Sequence, residues 1–450
     1  MSPPIESNLS RARGSIVWLL ALACAFGAVW WIERESGRAL ADKPSAQAPA
    51  APVAPQLAGS VDLPPEPAPR ALSAQERQWA RIAWKYFENN VDAGSGLARS
   101  VDGFPSATLW DTASYLLALL SAQELELVEK RDFDLRIAKA LVALERMPLY
   151  DGKLPNKAYD TATLAMTDYR NQPAPAGIGW SAIDIGRLLV PLNALVWRHP
   201  VHTPAARRVL ARWDTSGLAR EGQLFAMQAG PQVTPQALQE GRLGYEQYAA
   251  HTFALLGLDV EAAGDWLRHL QLVPVEGVAV CADDRDPARF GVPNYVVSEP
   301  YILAGLEFGW TRSARECAWR AYRAQEARWR RTGTLTAVTE DHVDRPPYFV
   351  YNSVWSNGRP WATVTDKGED VAALRNLSVK AAFGWHALLR TEYTARLVER
   401  VAGLNDPARG WYAGLYEEGG QTNQALAANT NAVVLESLAY LRRGRLLQYR

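Results

Sequence analysis

Cysteine is scarce in this sequence, and neither sign of charge is in excess. Three cysteines stand among 450 residues, and 48 Lys and Arg are balanced by 48 Asp and Glu. Phosphate binding needs clustered Lys and Arg, so nucleic acid is excluded as the main partner. Cys24 sits in an apolar run, which leaves Cys281 and Cys317 as the one pair able to form a disulfide. An oxidising compartment permits that bond, and nothing in the sequence demands it. Of the six histidines, His199 and His202 lack further ligands at zinc-site spacing. G-x-S-x-G, G-x-x-x-x-G-K and D-x-D-x-D-G are all missing, so neither a cofactor nor a metal is expected.

What the chain does have is apolar bulk. Hydrophobic residues make up 48% of it, including 17 tryptophans, enough for one large core or two ordinary ones. A neutral polysaccharide or oligosaccharide suits the balanced charge, because Trp and Tyr can stack on sugar rings, although most such aromatics belong to cores. Ser15 to Ile32 reads SIVWLLALACAFGAVWWI, an uncharged run preceded by Arg11 and Arg13. It is just long enough to span a bilayer and is expected as a single-pass inner-membrane anchor, with residues 1–14 cytoplasmic and the remainder periplasmic. A cleavable signal peptide with Ala39, Leu40 and Ala41 as its A-x-A site is the rival reading. Residues 33–71, rich in Pro and Ala, are expected to form an extended spacer, and residues 72–450 the working domain.

Apolar residues recur at helical spacing in twelve segments of that domain. They lie near Ser73–Asn90, Trp110–Val128, Asp132–Arg146, Trp180–Trp197, Thr203–Trp213, Pro235–Leu256, Glu261–Leu270, Glu299–Phe308, Arg312–Arg331, Asp370–Leu389, Glu392–Ala402 and Leu426–Arg443. Long loops rich in Gly, Pro and aromatics precede the even-numbered segments, and short links follow them. Short links make antiparallel hairpins. The even segments are apolar around more of their circumference and suit an inner ring. The expected fold is therefore all-α, an (α/α)6 toroid of six helical hairpins. An open helical solenoid fits less well because no regular repeat is present.

In a toroid the long loops and the N-terminal ends of the inner helices line one cavity, which gathers residues far apart in sequence. These are Trp110 and Asp111 in TLWDTASYL, Trp180 and Asp184 in GWSAIDIGRLL, and Glu240, Arg242, Tyr245 and Glu246 in QEGRLGYEQYAAH. Asn294, Tyr295, Glu299 and Tyr301 follow in PNYVVSEPYILAGLE, and Glu340, Asp341, Tyr348, Tyr351 and Asn352 in TEDHVDRPPYFVYN. Asn429 and Asn431 in NTNAVVLESLAYL complete the set.

Together with GKLPNKAY, SVKAAFGWHAL and GWYAGLYE, these phrases resemble, in order from Trp79 to the C-terminus, the bacterial family of unknown function numbered 3131. The resemblance implies a glucoamylase-like (α/α)6 domain, a carbohydrate substrate and a setting in exopolysaccharide production and export. It transfers no catalytic pair.

Glycoside hydrolysis needs a carboxylic acid to protonate the leaving oxygen and a second carboxylate as base or nucleophile. On a continuous helix Glu240 and Glu246 would point about 120° apart, so they are not expected to be that pair. Glu246, between two tyrosines, is the expected acid, since an apolar setting raises a carboxyl pKa; a buried structural glutamate is the alternative. Its partner is expected from Glu299, Glu340 or Asp341. Stabilisation by the helix dipole also explains Glu299, and adjacent loop acids such as Glu340 and Asp341 are commonplace. Asp111 and Asp184 read as sugar anchors or helix N-terminal stabilisers. Trp110, Trp180, Tyr295, Tyr301, Tyr351, Asn352 and Asn429 read as substrate contacts, and Glu240 and Arg242 as supports of the cavity wall.

The expected function is a membrane-anchored periplasmic glycoside hydrolase that processes an exopolysaccharide or glucan. Two alternatives remain. One is a non-catalytic glycan-binding or scaffold subunit of a polysaccharide synthesis and export complex. The other is a polysaccharide lyase using Tyr245, Arg242 and His251.

Overall fold

A computed structural model describes residues 57–230, 233–290 and 293–447. The expected anchor at 15–32 lies outside them; among the described residues no helix is long and apolar enough to cross a membrane. Besides a single turn at Pro287–Phe290, twelve helices among the described residues build the folded unit, in chain order α1 (Ala74–Asn90), α2 (Leu109–Glu124), α3 (Lys130–Arg146), α4 (Ala182–Arg198), α5 (Thr203–Ala211) and α6 (Tyr245–Leu255). After them come α7 (Glu261–Gly264), α8 (Glu299–Glu307), α9 (Arg312–Thr332), α10 (Val379–Leu389), α11 (Glu392–Val401) and α12 (Ala428–Arg443).

The even helices close a ring: α2 packs on α4, α4 on α6, α6 on α8, α8 on α10, α10 on α12, and α12 again on α2. Each odd helix lies against an inner one. Side-chain patterning sets this division. In α3 only one stripe is buried, running from Phe133 through Ile137 and Leu141 to Leu144, whereas α2 buries nearly its whole circumference. Glycines let the inner helices approach closely. A Cβ on Gly186 of α4 would fall 2.6 Å from that of Ala249 on α6.

The toroid is present, but the all-α expectation needs correction, because the long loops fold into seven small sheets among the described residues. The segment expected as a helix over Pro235–Leu256 begins as a strand, Val233–Gln239, paired with Gln223–Gly230. Its helix starts only at Tyr245, after Gly241 and Gly244 adopt φ values of +96° and +104° that end any regular run. Likewise Glu261–Leu270 is one helical turn, followed by the hairpin Leu270–Val275 and Val278–Asp283. Asp370–Leu389 contains the strand Asn376–Ser378 before α10, which Ser378 caps.

The expected spacer over 33–71 enters the described residues at Leu57, where the folded unit begins. From there it is strapped to the domain. The Ser60 amide and hydroxyl donate to Glu316, Trp319 Nε1 donates to Asp62 at 3.0 Å, and Arg390 donates to the Ala68 carbonyl at 2.8 Å.

At the centre of the ring Arg187 of α4 is fully buried. It donates to Glu307 at 2.7 Å and to the Tyr248 hydroxyl at 2.8 Å, lies 3.4 Å from Glu436, and stands 4.7 Å from the Trp110 ring centroid. One guanidinium thus ties together α2, α4, α6, α8 and α12. Removing one member of a buried ion network strands the remaining charges. Arg187→Met should lower unfolding stability by about 3–5 kcal/mol in denaturant titrations of the full chain; an unchanged midpoint would contradict this role.

Candidate active site

The first turns of the inner helices meet at one end of the ring. Glu299 opens α8 and has both oxygens engaged. Oε1 accepts from Trp110 Nε1 at 3.2 Å and from Asn429 Nδ2 at 2.7 Å, and Oε2 pairs with Lys380 of α10. Lys380 also lies 3.8 Å from Asp341. Asp341 is buried, its oxygens make no hydrogen bond among the described residues although the Ser378 hydroxyl is near, and burial pushes its pKa well above the usual range. Glu340 accepts from Thr339 Oγ1 at 2.7 Å, and burial pushes it up to about 7 despite the nearby Lys380. Asn352 bonds to Thr339 and Thr363 within the loop. Tyr301 and Trp180 are buried in the core rather than lining a cavity.

The α4 wall is built differently. Ser181 caps the helix by accepting from Asp184 N–H at 3.1 Å. Glu240, reaching in from the loop before α6, accepts from Ser181 Oγ at 2.8 Å, Ala182 N–H at 2.5 Å and Ile183 N–H at 3.1 Å. Glu240 therefore satisfies the free amides of the helix. Its residue type was legible, but its placement on a helix beside Glu246 was not correct. Asp184 is left without a cap to make; the residue keeps partial exposure, while its carboxyl is closely surrounded by protein. Burial, with Glu240 and Asp111 adding repulsion, pushes Asp184 up to about 8 against the pull of Lys157 and Ser181. Asp111, at the same position of α2, forms a capping box with Thr108: Thr108 Oγ1 donates to it at 2.7 Å and accepts from its N–H at 3.1 Å.

Glu246 belongs to a separate buried cluster. Oε2 pairs with Arg285 at 2.6 Å and Oε1 accepts from Gln239 at 3.0 Å. Arg285 also pairs with Asp283 at 2.6 Å, and Asp283 accepts from the Leu243 amide at 2.9 Å. Arg242 donates to Gln239 Oε1 at 2.8 Å, and Asn294 donates to the Asp283 and Arg285 carbonyls. Burial raises Glu246 to about 7 even against Arg285. The group braces the loop before α6 against the strand Val278–Asp283, which the Cys281–Cys317 disulfide fixes to α9. Sequence reasoning missed Arg285, Asp283, Lys157 and Lys380. Of these, a lysine within the otherwise apolar SVKAAFGW offered a signal.

Aromatic rings stack in the loops before α8 and α10. Tyr295 and Tyr351 stack with centroids 4.1 Å apart and planes within 1°. Burial raises the Tyr351 hydroxyl well above its usual range, with Tyr295, Glu340, Asp366 and Asp184 adding to the shift. Of the lyase candidates, Tyr245 stands edge-on to Trp110 at 5.5 Å, Arg242 donates to Gln239, and His251 stacks on Phe308 at 4.3 Å. A surface depression lined by Lys130, Asp134, His202 and Arg208 lies at the outer helices α3 and α5, away from these residues.

The raised Asp184 carries a sign. The folded protein holds a proton that the unfolded chain, with a value near 3.8, releases. Its contribution favours folding below that value and is lost as pH rises through about 8. Asp184→Asn should therefore raise Tm at pH 9 by about 2 °C or more and change it little at pH 4; an equal shift at both values would count against the buried proton.

A profile of the family described as "Protein of unknown function (DUF3131)" matches residues 78–444. No curated protein matches. Among solved structures, a Bacteroides caccae protein named provisionally as a glucoamylase aligns with TM-score 0.59 and 14% identity, over 83% of this chain and 94% of that one. An endo-β-1,2-glucanase from Chitinophaga pinensis, in complex with sophorotriose and glucose, aligns at 0.57 and 12%, over 84% and 94%. A third, the endo-β-1,2-glucanase of Talaromyces funiculosus with sophorose, gives 0.56 and 11%, over 83% and 84%. At these identities the likeness concerns the fold.

Proposed function

This chain belongs to the DUF3131 family, whose description assigns no activity, and we propose that it is a glycoside hydrolase acting on a neutral glucan through two carboxylates. The observation that carries this reading is Asp184, a partly exposed residue whose place on the helix amides is taken by Glu240 and whose carboxyl is pushed up to about 8. It holds a proton at neutral pH and can give it to the leaving oxygen as the C1–O bond breaks. Glu340 enters from the loop before α10, in strand register with Tyr351, and serves as the base or nucleophile. Glu299 is better suited to hold Trp110, Lys380 and Asn429 in place, since both its oxygens are occupied, and Glu246 to brace the α6 loop. This reading moves the acid role from Glu246 to Asp184.

Tyr295 and Tyr351 supply the apolar surface that a sugar ring stacks on. The neighbours named for β-1,2-glucan and its oligosaccharides support β-linked glucan as the first substrate to test. A periplasmic setting, with the apolar run at 15–32 as anchor and an exopolysaccharide as the natural polymer, is part of the proposal. The Cys281–Cys317 disulfide favours an oxidising compartment.

The test is reducing-end release by the full chain from a panel of β- and α-glucans and bacterial exopolysaccharides. kcat/KM should follow a bell with limbs near 7, where Glu340 must lose its proton, and 8, where Asp184 must keep its own. Asp184→Asn and Glu340→Gln should each lose about 100-fold or more, and Glu246→Gln much less per folded molecule. Full activity in Asp184→Asn would end the assignment. Glycan binding without any product would favour a binding subunit of a polysaccharide assembly instead.

A further inference from the structure

The hairpin that carries Glu340 has two unlike faces. In its antiparallel pairing Glu340 stands opposite Tyr351, Asp341 opposite Val350 and His342 opposite Phe349. Facing residues share a side of the sheet and successive ones alternate. Asp341, Val343 and Val350 therefore form one face, and Glu340, His342, Phe349 and Tyr351 the other. The first face is buried, with Val343 and Val350 packed against Leu374 and Tyr416 in a small core of their own. The second is where a strand with one buried face ordinarily carries polar residues. Here it carries rings, and they touch in order. Tyr295 stacks on Tyr351, Phe349 stands edge-on to Tyr351 at 5.3 Å, and His342 stands edge-on to Phe349 at 5.2 Å. Tyr295, Tyr351 and Phe349 belong to neither hydrophobic core, and these residues and His342 keep partial exposure. The row does not serve to fill the interior.

One end of the row lies at Glu340, and the other reaches the exposed turn at 344–348. At the inner end Thr339 Oγ1 accepts from the Glu299 amide at 3.1 Å and donates to Glu340 at 2.7 Å, which pins the hairpin to the start of α8. Further out, Asn423 donates to the His342 carbonyl at 2.8 Å and accepts from the Asp344 amide at 3.1 Å, and Asp344 accepts from the Tyr416 hydroxyl at 2.7 Å. The rings thus stand on a framework fixed at both ends. We infer that Phe349 and His342 form a further sugar subsite, which seats the next residue of a neutral glucan chain beyond the ring held at Tyr295 and Tyr351. Phe349 and Tyr351 are two positions apart on one strand, about 7 Å, so a chain lying along the hairpin passes from one ring to the next. Its C–H faces meet the rings while its hydroxyls stay at the edges, in reach of the imidazole and of water. Continuity with the Tyr295 and Tyr351 surface identifies the occupant as more of the same polymer. Phe349 is in this arrangement a substrate-binding residue that makes the protein favour long chains. The inference rests on the glycan-hydrolysing reading of the same site but is tested separately from it.

The experiment measures calorimetric Kd for sophorose and for longer β-1,2-glucooligosaccharides with the full chain in the Asp184→Asn background, and turnover of the same series with Asp184 intact. With Phe349 present, the longer oligomers should bind about tenfold or more tightly than sophorose. Phe349→Leu, which keeps apolar bulk on the hairpin, and Phe349→Ala should each remove most of that gain. KM for the longer oligomers should then rise by about tenfold, with kcat and the Kd for sophorose each within about twofold of the parent. Phe349→Tyr should behave as the parent, since it keeps the ring. Equal weakening of sophorose and the longer oligomers, full retention of the gain in Phe349→Leu, or a series in which no oligomer binds would overturn the subsite. A chain-length gain that Phe349→Leu removes, without turnover of any oligomer, would overturn hydrolysis and keep the subsite.

Discussion

Six helices that point their N-terminal ends at one place bring with them a set of backbone amides that no intrahelical carbonyl satisfies. Those amides and the aligned helix dipoles favour carboxylates in the first turns, and the sequence supplies them: Asp111 on α2, Asp184 on α4, Glu246 on α6 and Glu299 on α8. The same architecture that stabilises the ring therefore concentrates acids at its mouth. Most of them are then neutralised by duty. Asp111 closes a capping box, Glu299 holds three partners, and Glu246 is bound to Arg285.

Asp184 differs because Glu240 crosses from the next sector and takes the amides at the start of α4. Two acids share one helix end, and only one is needed there. The surplus carboxyl sits in a confined space beside Glu240 and Asp111, which disfavours its charged form. Repulsion that would be a defect in a purely structural site becomes a stored proton. Below this layer, the Arg187 network fixes the inner helices relative to one another, so the spacing of the acids does not relax.

The architecture was legible because hairpins leave a coarse trace: long loops before even helices, short links after them, and a difference in how much of each helix is apolar. The sheets were not legible. Strands such as Asn376–Ser378 or Glu340–His342 span three residues, too few for alternation to stand out inside loops rich in turn formers. Glu246 looked like an acid because only its sequence neighbours were visible. Its true partner, Arg285, lies 39 residues away and carries no local sign of the pairing. The role of Asp184 was hidden for a related reason, since it depends on Glu240 arriving from a strand-ended loop that periodicity had read as helix.

The central claim is that Asp184 is protonated at neutral pH in the folded protein. Infrared difference spectroscopy of the full chain against Asp184→Asn reads this directly through the carbonyl stretch of a protonated carboxyl. A band present in the parent at pH 7, absent in the variant, and disappearing as pH rises through about 8 is the expected result. A parent spectrum at pH 7 that lacks any such band would show Asp184 ionised and would contradict its part as proton donor.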